Sequence, residues 1–150
     1  MKKKMIQVFL IFGILLVPIL FIFRESTDLS VRYVAIVFSV LSSILSIFIS
    51  SVMLKFVYRI FIKFSKESLN EIQTLFLGYI FLNSLIILAL KDTTFFKLFN
   101  VINPTLLIFL WLLTIIYSKV YEKKKLLYAA TVFYIVNIVF ALIGVMMNNV

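Results

Sequence analysis

Residues 5–23 read MIQVFLIFGILLVPILFIF and carry no charge over nineteen positions. A run of this kind is close to the roughly 20 apolar residues that a helix needs to cross the hydrocarbon core of a bilayer. Four further runs follow. The segments expected to span are therefore about 5–23, 33–54, 69–90, 104–118 and 126–147. The composition agrees: 64% of residues are hydrophobic, 14% are charged and mean hydropathy is +1.18. A soluble domain is nearer half apolar and a quarter charged. The expected fold class is all-α, a single polytopic bundle of five transmembrane helices.

The first run follows Lys2, Lys3 and Lys4, as a signal peptide would, but its apolar part exceeds the roughly 7–15 residues of a signal core. No small-x-small cleavage site follows it, so an uncleaved helix is expected, with Pro18 kinking it. Ser68 and Glu71 form an S-x-x-E capping box ahead of the third run. "NPT" opens the fourth, with Asn103 as N-cap and Pro104 at the first helical position. Asn148 and Asn149 end the fifth.

Basic residues set the direction. With the N-terminus inside, the inner regions hold Lys2, Lys3, Lys4, Lys55, Arg59, Lys63, Lys66, Lys119, Lys123, Lys124 and Lys125. The outer loops hold Arg24, Arg32, Lys91 and Lys97, partly neutralised by Glu25, Asp28 and Asp92. The positive-inside bias places the N-terminus in the cytoplasm and the C-terminus outside. The net charge of +9 then reads as topology and attraction to anionic lipid, with no nucleic acid as partner. Lysine, isoleucine and phenylalanine usage accompanies AT-rich bacterial genomes, so a multi-pass protein of a bacterial plasma membrane is expected.

Two surfaces stand out. In "KFVYRIFIKFSK", Lys55, Arg59, Lys63 and Lys66 fall within an arc of about 80° on a helix. This basic stripe either extends the second helix with snorkelling side chains or lies on anionic lipid or a partner. In "SVLSSILSIFISS", Ser39, Ser42, Ser43, Ser46 and Ser50 recur with Ala35 at steps of three or four. Small residues at this spacing let helices approach closely, and hydroxyls can bond to their own helix. The face reads as a packing seam, with a weakly polar groove as the alternative. The last run has a comparable seam in Ala130, Tyr134, Asn137, Ala141 and Gly144. Asn137 needs a partner in the membrane, and Asn83 is the candidate.

The chain has no Cys and no His, so thiolate nucleophiles, disulfides and the usual zinc and haem ligands are missing. All six acids fall at helix ends or in loops, whereas coupled transporters usually keep ionisable groups mid-span. Three glycines cannot write a phosphate-binding loop. No enzyme activity, cofactor or metal is expected.

The layout resembles the Yip family of five-span membrane proteins. The likeness covers roughly residues 30–147 and rests on a charged loop before a third span containing Gly78-Tyr79, a fourth span with Trp111, a short basic turn and a fifth span. Eukaryotic members carry a long cytosolic N-terminal region with an aspartate-leucine-tyrosine-glycine motif linked to Rab GTPase contact. Here Met1 to Lys4 precede the first span and that motif is absent, so the resemblance points to the bacterial relatives. It implies a non-catalytic membrane factor that acts by binding, either partnering an ABC exporter or protecting its host against a cationic, membrane-active peptide. A small channel or transporter component with a serine-lined path, and a pure scaffold, are the alternatives.

Overall fold

A computed structural model of the chain describes residues 2–25, 29–90 and 95–147. Among these the fold is entirely helical. The elements are α1 (Lys2–Glu25), α2 (Leu29–Phe61), α3 (Lys66–Leu90), α4 (Phe96–Ile102), α5 (Pro104–Tyr117) and α6 (Lys123–Met147). The expected terminal pair Asn148 and Asn149, and Asp28, Lys91 and Asp92 of the outer loops, lie outside the described residues.

Four helices are long and apolar enough to cross a membrane: α1, α2, α3 and α6. The fourth expected span is different. α5 is apolar but has only 14 residues, about 21 Å at 1.5 Å per residue. It is preceded by the seven-residue α4. Asn103 separates the two with a left-handed backbone (φ 44°, ψ 67°), a conformation asparagine tolerates better than most residues. Its backbone N–H donates to Phe99 O at 2.8 Å, closing α4. Its side-chain oxygen accepts from Leu106 N at 3.1 Å, opening α5. The expected cap at "NPT" is present, and the same residue also ends the helix before it.

Contacts fix the helix directions. Gln7 donates to Thr74 Oγ1 at 2.8 Å. A Cβ on Gly13 would lie 2.8 Å from the Phe81 ring. α1 and α3 therefore run parallel. Thr105 meets Asn83 and Tyr117 donates to Glu71 at 3.4 Å, so α5 runs antiparallel to α3. α1 continues unbroken through Pro18, whose missing N–H leaves the Ile14 carbonyl without its intrahelical donor.

The core lies toward one end of the bundle. Leu54, Tyr58, Ile72, Phe76, Leu110, Leu113, Leu126, Ala129 and Phe133 are buried together. At that end the α2–α3 and α5–α6 connections interlock through aromatic rings. Phe64 packs on Tyr121 with centroids 4.5 Å apart, and on Tyr58 and Tyr117 at 5.9 Å each. Ser68 Oγ lies 3.1 Å from the Tyr121 hydroxyl and Ser65 N–H donates to that hydroxyl at 3.4 Å. Donors aimed at the phenol oxygen, Ser68 first, favour the phenolate and hold Tyr121 below its ordinary pKa.

The basic residues gather at the same end, but not as one helical stripe. α2 stops at Phe61, so Lys55 and Arg59 sit on α2, Lys63 in the connection and Lys66 at the first position of α3. The helix period that aligned the four is interrupted after Phe61. The expected capping box is also not formed. Ser65, one turn earlier, is the cap: its Oγ accepts from Ser68 N at 3.1 Å and its carbonyl accepts from Leu69 N at 3.1 Å. Glu71 turns instead to Tyr117.

Candidate functional site: a polar helix break beside an apolar groove

Breaking a helix inside an apolar layer exposes backbone groups that lipid cannot satisfy, so such breaks need polar neighbours. The break at Asn103 has several. Asn103 Nδ2 donates to the Tyr79 hydroxyl at 2.9 Å. Thr105 Oγ1 lies 2.5 Å from Asn83 Oδ1 and 2.8 Å from Asn103 Oδ1. A hydroxyl has one proton, so Thr105 serves one of these oxygens at a time. Tyr134 of α6 donates to the Ile102 carbonyl, the last of α4. Residues from α3, α5 and α6 thus converge on one short break.

The Tyr79 ring is held from below. It stacks on Phe109 at 5.0 Å and on Phe76 at 5.6 Å, while Phe76 meets Phe133 edge-on at 5.9 Å. This stack ties the polar cluster to the core.

From the cluster an apolar groove of about 540 Å³ runs between α1, α3 and α5. Asn83 and Thr105 line one end; Ile6, Thr74 and Ile116 line the other. Along α3 the wall from Thr74 to Ile86 covers about 18 Å. Leu82 and Ile108, on the two facing helices, are 60% and 54% exposed, so the groove opens sideways. Gly78 forms part of its wall, and a Cβ placed there would meet nothing within 4 Å. A glycine inside a helix costs about 1 kcal/mol relative to alanine. At Gly13 close packing against Phe81 accounts for that cost; at Gly78 no neighbour does.

The residues singled out from the sequence are dispersed. Ser39, Ser43 and Ser50 are half-buried, whereas Ser42 and Ser46 face outward. The five do not close one seam within a single chain. Ser43 lines a separate cavity of about 260 Å³ with Pro18, Phe21, Ser84 and Phe96. The serine that is buried is Ser51, which the periodicity placed off the small face; its Oγ has no hydrogen-bond partner among the described residues. Asn83 and Asn137 are not paired. Asn83 meets Thr105, and Asn137 donates to Phe133 O of its own helix at 2.8 Å. Sequence reasoning missed Tyr79, Thr105 and the open face of Gly78 as one site. The Gly78-Tyr79 pair and the "NPT" cap were read only as a family likeness and a helix start, although both fall on this site.

Comparison of the chain with protein-family models, with curated proteins and with solved structures finds no match.

Proposed function

We propose that the protein is a non-enzymatic integral membrane protein that acts by binding an apolar ligand or partner segment in the groove between α1, α3 and α5. In this reading five apolar segments cross the bilayer. α4 and α5 together make the fourth crossing, and the basic end faces the cytoplasm. Lys55, Arg59, Lys63 and Lys66 then meet anionic headgroups, each contributing about 1 kcal/mol near such a surface. The observation that carries the proposal is the empty space over Gly78, in a pocket that is largely apolar with a few convergent polar groups, the usual character of a ligand site.

The biological use follows from the Yip-like layout: protection against a membrane-active peptide, or service beside an ABC exporter. A photoreactive residue at position 82 tests the site. Irradiation in native membranes is expected to give a defined adduct that Gly78→Leu abolishes. An adduct pattern indifferent to Gly78→Leu refutes the groove as a binding site. Expression in a sensitive strain tests the use: tolerance to one peptide of a panel should rise, and unchanged sensitivity throughout removes the protective role.

A further inference from the structure

We infer that the groove holds one acyl chain of a membrane glycerolipid, with the acyl carbonyl accepting a hydrogen bond from Asn83 Nδ2. The inference rests on the groove being a binding site and names its ligand.

Three observations lead to it. First, the groove has a polar end and an apolar length. Asn83 and Thr105 stand at one end, and from there to Ile116 the walls are mainly aliphatic for about 16 Å. A fatty chain with one polar group at its head has this shape, whereas a polar or charged ligand would leave its polar atoms unpaired along the walls.

Second, the polar end has a donor to give. Asn83 directs Oδ1 to Thr105, which leaves the two N–H donors of its amide. Asn83 lines the groove, and its Nδ2 meets no acceptor among the described residues. A carbonyl oxygen is the complementary group. An ether oxygen is a poorer acceptor, and an alkyl chain has none.

Third, the depth suits a lipid head region. Asn83 lies seven residues before the end of α3 at Leu90, about 10 Å along the axis and toward the end opposite Lys55, Arg59, Lys63 and Lys66. α5 begins at the same level. With 25 residues, α3 is about 37 Å long and exceeds the roughly 30 Å of hydrocarbon, so its last turn reaches the head region and Asn83 lies within about two turns of it. A lipid of the leaflet opposite the basic end would then set its acyl carbonyl near Asn83 with its chain pointing along the groove toward Ile6 and Ile116.

The test uses the whole protein reconstituted in nanodiscs containing equal amounts of a diacyl and a dialkyl-ether phosphatidylcholine with matched chains. Co-purified lipid is then counted by native mass spectrometry. The wild type is expected to retain the diacyl lipid over the ether lipid by about fivefold, the equivalent of one hydrogen bond. Asn83→Leu, nearly isosteric, should reduce that ratio to about one while Thr105 keeps Asn103 as its acceptor. Gly78→Leu should lower retention of both lipids. Equal retention of the two lipids by the wild type overturns the inference, as does a preference that survives Asn83→Leu. If the position-82 adduct is a peptide or protein and is lost in Gly78→Leu, the groove stands as a site and the lipid assignment falls. If no adduct depends on Gly78, both fall. Melting of each variant in detergent accompanies the count. Should Gly78→Leu not fold, Leu82→Trp, at an exposed position of the groove rim, replaces it with the same expected loss.

Discussion

Asn103 Nδ2 donates to the Tyr79 hydroxyl at 2.9 Å, and this one bond joins the break between α4 and α5 to the middle of α3. The same asparagine closes α4 in the left-handed region and caps α5. Replacement separates these duties. Asn103→Gly keeps the backbone conformation and loses the side-chain bonds. Asn103→Ala loses both and should be the less stable, with a cost of about 1–2 kcal/mol. The check is melting in detergent: an alanine variant as stable as the wild type would show that the cap contributes nothing.

The two glycines of the α1–α3 region should respond oppositely. Gly13→Val drives a branched side chain into Phe81, whose ring lies 2.8 Å from where the Cβ would stand, and should cost about 1–3 kcal/mol. Gly78→Ala meets open space and should stabilise by up to about 1 kcal/mol. A destabilised Gly78→Ala would contradict the open groove wall.

Tyr58 is fully buried and its hydroxyl lacks a partner among the described residues. An unsatisfied buried polar group costs about 1–3 kcal/mol. Tyr58→Phe removes the hydroxyl and keeps the ring against Phe64. Its melting temperature is expected to rise; a fall would reveal a bond to water or another group.

Orientation is testable because the chain has no cysteine of its own. A cysteine at Lys124 should resist a membrane-impermeant thiol reagent in intact cells, and one at Phe95, which is exposed, should react. The reverse pattern would invert the proposed topology.

The four long apolar helices were legible because runs such as the nineteen uncharged residues of the first leave few alternatives. The cap at "NPT" was legible because cap chemistry is local; that the fourth expected span is broken at Asn103 was not. Which residue faces which was harder to read: the seam of the last run does turn inward at Ala130 and Tyr134, but other assignments differ. In α2 the serines are periodic, but apolar residues surround them on all sides, so periodicity could not say which face turns inward. Ser51 is buried and Ser42 is not. Asn83 was matched to Asn137 by residue type, while the antiparallel run of α5 along α3 brings Thr105 to it first. Ser68 had the better capping pattern, yet the connection tightened by Phe64 among the tyrosines starts α3 one turn earlier, at Ser65. The groove was not readable at all, since empty space over Gly78 is a relation among three helices.

The position of the core also fixes an order of assembly. Its members run from Leu54 on α2 to Phe133 on α6. α2 is made before α3, α5 and α6 and cannot bury Leu54 or Tyr58 against residues not yet translated. At about 5–20 residues per second, several seconds separate the synthesis of Leu54 from that of Phe133. During that interval Leu54 and Tyr58 lack the neighbours that bury them in the finished fold. α6 completes the core by supplying Leu126, Ala129 and Phe133. Chains cut short after Tyr117 should accordingly be degraded soon after release, even though most of the apolar helices are already present.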